Sequence, residues 1–249
     1  MEIPPYVKKT VKKGHYVPQS YLKRFTFDKE KAHLYVFDKV ALRQFPSSIS
    51  DVAQGEYFYD LPEEDAIKNN FDPQLMEKAF SVIESDFITA LDSVIRRVEK
   101  GYPNVFRLEL KAKLAYYIGL QHYRTNEFRQ VATELVEKIC EANLLKTTGI
   151  EHEVKANPEF VNLSHNKFIA SCEFKESVTK ILLKHLWIVG VNNSKIPLYT
   201  SDNPVMVRPY VEDPAMSHTS FESEGIEISF PIRPKYVLIL RERTLVAPH

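Results

Sequence analysis

Cysteine is scarce: the chain holds only Cys140 and Cys172, far apart and without CxxC spacing. That excludes a disulfide framework and leaves a zinc ribbon or finger without ligands. Two isolated thiols suit a reducing compartment, so a cytoplasmic location is expected. Glycine is scarce too, with seven residues, and no Walker A loop, GxGxxG or GxSxG string occurs; phosphate-cradling loops and a serine elbow are therefore not signalled. The histidines show neither HxxxH nor HExxH spacing, which removes the usual signature of a dedicated zinc site. No apolar run approaches the ~18 residues of a membrane span. The opening MEIPPYVKK has no apolar segment of the secretory kind. A surplus of one charge is also missing: 33 basic residues balance 33 acidic ones. Whole-chain charge thus gives no pull toward nucleic acid or anionic lipid. One local bias stands out in Lys8, Lys9, Lys12 and Lys13, either a solvated basic arm or a phosphate-binding one.

What is present is ordinary globular material: 44% hydrophobic residues, 27% charged, and 28 Phe or Tyr (15 and 13) among 249 residues. This composition supports one sizeable core. Residues 1–14 read as an extended basic arm, because Pro4 and Pro5 block a helix. Residues 15–249 read as a single α+β domain. Pro18 opens a short helix with Tyr21, Leu22 and Phe25 on one face. A β-hairpin follows, 33–38 against 41–45, with a third strand at 56–59. The middle is a bundle of about four helices, over 73–100, 107–124, 128–145 and 166–184, with Asp72-Pro73 and Gly101 as start and stop signals of the first. A small, mostly antiparallel sheet ends the chain, with strands at 186–191, 198–201, 227–230 and 236–240. A long loop covers 208–225. The chain stops directly after a strand and reads as a shortened version of something longer.

Three stretches carry a resemblance. They are His15-Tyr16-Val17-Pro18-Gln19 with Tyr21, Leu22 and Phe25; Gln121 with Arg124-Thr125; and Thr200-Ser201-Asp202-Asn203-Pro204-Val205. Together they resemble a bacterial family of unknown function marked by an HYVPQ-type N-terminus and a TSDNP motif. The likeness runs from about residue 14 to 241. Members of the family continue further at the C-terminus. The family carries no assigned activity, so chemistry has to come from the residues.

Polar residues in apolar surroundings supply it. On a 3.6-residue helix, Glu84 falls on the stripe of Phe80, Phe87, Leu91, Ile95 and Val98. A carboxylate there is either a general acid/base or ligand, or a structural group that has found a partner. Gln121 sits among Leu110, Leu114, Tyr117 and Ile118, with Arg124 one turn on. The pair either grips a carboxylate or phosphate, or Arg124 simply pairs with Glu84. His15, just before the helix start, is a base, a ligand or a packing residue, and Gln19 lies one turn away. Ser201, Asp202 and Asn203 leave a strand and enter a turn, where they project into a site or bond to their own backbone. The Ser201-Asp202-Asn203 string matches the SDN of serine β-lactamases, but no KTG follows it.

Three functions compete. In the first, the chain hydrolyses a phosphodiester or another anionic ester. His15, Glu84 and Asp202 are catalytic, and Gln19, Gln121, Arg124, Ser201 and Asn203 bind substrate. Glu84 with Asp202 then holds Mg2+ or Mn2+ through oxygens and waters. In the second, the same residues recognise an anionic small molecule, a peptide or a nucleic acid without turnover. In the third they are core hydrogen-bond partners only.

Overall fold

A computed structural model of the chain describes residues 11–209 and 220–243. The fold is α+β, with strands at both ends of the chain and helices between them. Lys13 and Gly14, expected in the basic arm, belong to a strand, and residues 1–10 of that arm lie outside the described residues. Strand β1 (Lys13–His15) pairs antiparallel with β4 (Gln54–Glu56), placing Gly14 opposite Gly55. Both glycines are needed for space, since a Cβ on either would run into the Phe58 ring or its Cβ. The strand expected at 56–59 therefore lies two residues earlier. Tyr57, at φ 49°, turns the chain out of extended geometry there. Between these strands β2 (His33–Asp38) and β3 (Arg43–Ser48) form the expected hairpin. Its turn is set by the Asp38 carboxylate, which accepts from the amides of Val40 and Ala41 at 3.0 Å.

Helix α1 (Gln19–Leu22) follows Pro18 and continues into a 3-10 turn at Lys23–Phe25. Tyr21 and Leu22 are buried as expected, and Phe25 is half-buried. Short α2 (Glu63–Asn69) has no counterpart in the sequence reading; at two turns it is too brief for periodicity to show. The long helices α3 (Leu75–Glu99), α4 (Leu108–Tyr123) and α5 (Asn126–Thr148) fall close to their expected spans. The single helix expected at 166–184 is two, α6 (Pro158–Ala170) and α7 (Cys172–Leu183). Ser171 breaks it: its backbone is extended and its hydroxyl accepts from the Phe174 amide as an N-cap.

The C-terminal sheet is antiparallel in the order β5 (Leu186–Val191), β8 (Tyr236–Arg241), β7 (Glu227–Arg233), β6 (Met206–Arg208). Ile228, Phe230 and Ile232 alternate inward with Leu238 and Leu240, and all five are fully buried. No strand forms at 198–201, and the edge strand comes later, at Met206–Arg208. Between Pro197 and Pro204 the polar side chains are engaged in turn and long-range bonds rather than in a ladder. Most of the long loop expected at 208–225 lies outside the described residues.

Candidate functional site

The site begins at the C-terminal end of α4, which carries Gln121 and Arg124 on its buried side. Gln121 Nε2 donates to the carbonyl of Tyr16 at 2.8 Å, and its Oε1 accepts from the Tyr117 hydroxyl at 3.2 Å. Arg124 is 1% exposed and donates in three directions. Nη1 reaches Glu84 Oε1 at 2.8 Å, Nη2 the carbonyl of His15 at 2.8 Å, and Nε the Tyr59 hydroxyl at 3.0 Å. Its guanidinium also lies 4.4 Å from the centroid of Phe80. Burial alone would favour losing the proton. Tyr59 and Glu84 outweigh it, so the cation is held more firmly than in water. The guanidinium is thus engaged through all three of its nitrogens, and the residue clamps α4, α3 and the end of β1. This is the pairing with Glu84 that the helix periodicities allow.

The three motif stretches meet through these bonds. His15 and Tyr16 present their carbonyls to Arg124 and Gln121. The Tyr21 hydroxyl donates to the carbonyl of Pro231 at 2.7 Å and accepts from Thr200 Oγ1 at 2.8 Å. Thr125 caps α5. The Thr200–Val205 segment is turn chemistry in large part. Ser201 Oγ donates to the Asn203 carbonyl at 2.7 Å, and Asn203 Nδ2 donates to Glu127 at 2.7 Å. Asp202 is exposed; its carboxylate is felt at the Tyr16 hydroxyl, whose pKa burial and that charge together raise.

A cleft of about 720 Å³ opens between β1, α1 and the first half of α3. Of the sequence candidates, His15, Gln19 and Glu84 line it, whereas Gln121, Arg124, Ser201, Asp202 and Asn203 do not. Glu84 reaches the cleft because its side chain is 20% exposed while one oxygen rests on Arg124. Asp202 does not join Glu84 there, so the structure does not gather those two carboxylates around one divalent ion. Among the described residues no group of three or more His, Cys, Asp or Glu is arranged to hold a metal.

Glu77 is the residue the sequence reading missed. It lines the same cleft, and its Oε1 is buried with no hydrogen-bond partner. That oxygen sits where only the bare Cα of Gly14 leaves room, 2.5 Å from the position a Cβ would take. Burial pushes the carboxyl up to about 7, with Arg124 pulling the other way and the Glu84 charge adding to the rise. Seven residues separate Glu77 from Glu84, which puts both within about 20° on one helix face. That spacing was the available signal. His15 stands nearby with a buried, unpartnered Nε2. Burial lowers its pKa, against the pull of backbone carbonyls and of Glu84, so the ring is neutral at pH 7. Ser20, Ser81 and Ser85 add hydroxyls, and Lys13 and Lys78 add cations paired to Asp51 and Asp72.

The cleft thus brings together an imidazole, two carboxylates and three serine hydroxyls. No curated protein and no solved structure matches the chain. The model of a family described as a protein of unknown function, DUF4238, matches residues 13–249. With nearly its whole length matched, the chain belongs to the DUF4238 family.

Proposed function

We propose that this protein is a hydrolase that opens a small ester by general acid–base catalysis in the cleft between β1, α1 and α3. The carrying observation is that two titratable groups bordering this cleft, His15 Nε2 and Glu77 Oε1, are buried without partners. Buried polar atoms left unpaired cost stability, and a site that uses them is a common reason for keeping them. His15, neutral at pH 7, takes a proton from water as the water oxygen attacks the ester centre. Glu77, with a carboxyl near 7, donates a proton to the departing oxygen. The proton on His15 then restores the Glu77 acid. A neutral imidazole and a carboxyl that keeps much of its proton near neutral pH are what such a reaction requires.

Arg124 serves this site through Glu84 and the His15 backbone, as a positioning residue. Lys13 and Lys78 at the cleft wall are already paired to Asp51 and Asp72, so the site suits a small ester rather than a polyanion. A cleft of this size suits a small molecule. The described lysines of the arm are partly neutralised, Lys12 by Glu56 and Lys13 by Asp51, which weakens the case for a nucleic-acid backbone. No helix among the described residues is long and apolar enough to cross a membrane. Cys140 and Cys172 are both free, in keeping with a cytoplasmic setting.

The test is a panel of carboxylic and phosphoric esters, given to wild type, His15→Gln, Glu77→Gln and Asp202→Asn. The reading expects His15→Gln and Glu77→Gln to lose about 100-fold or more in turnover, the usual worth of a general acid or base. Asp202→Asn should stay near wild type. No turnover by wild type on any ester, with a small molecule still bound in the cleft, would replace this reading with non-catalytic binding.

A further inference from the structure

A second buried arginine lies beyond the first, and nothing in the chemistry above uses it. Arg129, one turn into α5, is 8% exposed. Its Nε donates to His165 Nδ1 at 3.0 Å, and its Nη2 donates to the carbonyl of Phe58 at 3.0 Å and to Asn166 Oδ1 at 3.3 Å. All three acceptors are neutral. His165 in turn donates Nε2–H to the carbonyl of Tyr123 at 2.7 Å, which fixes the tautomer and keeps the ring uncharged. Burial and the Arg129 charge together push His165 down to about 4. The guanidinium carbon stands 3.5 Å from the Phe58 ring centroid. Among the described residues no carboxylate lies within ion-pair distance of Arg129. The contrast with Arg124, which has Glu84 at 2.8 Å, is plain.

A buried cation without a counter-charge is costly, and proteins ordinarily supply a carboxylate or leave the place for a ligand. Here there is such a place. Arg129 lines a pocket of about 310 Å³ between α5 and α6. Nη1 makes none of the hydrogen bonds described above. Asn126, Gln130 and Asn162 also line the pocket, as does the exposed residue Glu134. The first residues of α5 and α6, Asn126 and Pro158, border it, so the positive ends of two helix dipoles add to the field of the guanidinium.

We infer that this pocket is a binding site for the phosphoryl group of a small molecule, with Arg129 supplying the charge and Asn126, Gln130 and Asn162 the surrounding hydrogen bonds. A tetrahedral oxyanion uses donors arriving from several sides, whereas a carboxylate is satisfied by one planar fork. The volume is at the small end of ligand clefts, which fits a phosphate monoester better than a nucleotide or a chain of nucleic acid. Burial lowers the Arg129 pKa to about 10, the direction expected of a cation that lacks its anion. The site is separate from the His15–Glu77 cleft.

The experiment uses the whole chain and inorganic phosphate at constant ionic strength, with acetate as the comparison. Binding is followed by calorimetry and by the rise in thermal midpoint. Wild type should bind phosphate saturably and be stabilised by it. Arg129→Gln should not respond. Because that variant disturbs a buried residue, Asn162→Asp is the second probe; it sets a competing carboxylate at the pocket wall. It should keep the wild-type circular dichroism and weaken phosphate roughly tenfold or more, as expected when an anion meets a like charge and loses a donor. Asp86→Asn, an exposed change on α3 outside both clefts, should bind phosphate as wild type does. The inference falls if wild type shows no saturable phosphate binding, if Asn162→Asp binds as tightly as wild type, or if acetate binds in preference to phosphate.

Discussion

Glu84→Gln is the most informative single change, because it removes charge and almost nothing else. Gln has nearly the shape of Glu and keeps an oxygen to accept from Arg124 Nη1. What disappears is, among the described residues, the one carboxylate in ion-pair contact with a guanidinium that is 1% exposed. Breaking a buried ion pair from one side costs about 3–5 kcal/mol, because the remaining charge has no counterpart. The expectation here is smaller, about 2–3 kcal/mol, since Glu84 is 20% exposed and the hydrogen bond survives in the variant. For a chain of this size that corresponds to a fall in thermal midpoint of roughly 4–12 °C. The control is Asp86→Asn, two residues along the same helix, where an exposed carboxylate faces Lys113 at 3.9 Å. An exposed pair of that kind contributes little, so the control should move the midpoint by about 1–2 °C at most. Far-UV circular dichroism on heating reads both. A Glu84→Gln midpoint equal to that of Asp86→Asn would refute the view of Arg124 as a clamp that depends on its carboxylate.

Other consequences can be checked with the same instrument. Glu77 has a folded-state pKa of about 7 against the usual 4.5. The folded chain therefore binds its proton more tightly than the unfolded chain does. The stability linked to that proton is complete below about pH 4.5 and is lost as pH rises through about 7. Glu77→Gln should flatten that decline, and a wild-type stability that does not fall between pH 5 and pH 8 relative to the variant would contradict the burial of this carboxyl. Tyr21→Phe leaves the buried carbonyl of Pro231 without its donor and should cost about 1–3 kcal/mol; an unchanged urea midpoint would mean that α1 is not anchored to β7 by this bond. Gly119→Ala should destabilise the protein, although alanine is the better helix former by about 1 kcal/mol. The added methyl overlaps Val178 Cγ2 and meets Cγ1 and Cβ at 3.0 and 3.1 Å, so α4 and α7 must separate. Val178→Ala in the same chain should recover part of the loss, and a Gly119→Ala protein as stable as wild type would show that the helices have slack.

The parts that could be read beforehand were those fixed by local pattern. Helices α3 and α4 announce themselves by periodicity and end signals, and the same wheel that buries Phe80 and Phe87 puts Glu84 among them. Pairing with Arg124 was one of two readings that two polar residues on two apolar faces left open, and the 2.8 Å contact decides for it. The misses have a common cause, which is tertiary context. Strands β1 and β4 have three residues each, too few to show alternation, and exist because Gly14 and Gly55 let the chains close under Phe58. The expected strand at 198–201 had suitable residues, but Thr200 and Ser201 are drawn into bonds with Tyr21 and Asn203. Glu77 was overlooked because its neighbours on the wheel are less apolar than those of Glu84. Its significance comes from Gly14, 63 residues earlier, and no periodicity reports that. Arg129 is similar: that it lacks a counter-ion becomes visible only when α6 is in place.

The bond from Tyr21 to Thr200 and Pro231 has a consequence for how the protein is made. Its partners are 179 and 210 residues apart in the chain. Translation delivers about 5–20 residues per second, so α1 leaves the ribosome roughly ten or more seconds before the strand that holds it. During that interval Val17, Tyr21 and Leu22, all buried in the finished protein, have no sheet to pack on. The segment is thus synthesised well before the strand that completes its seat, and contacts this distant in sequence form slowly even in a finished chain. A nascent chain halted before residue 231 should expose this segment to protease and to hydrophobic-binding chaperones, and release of the full length should protect it.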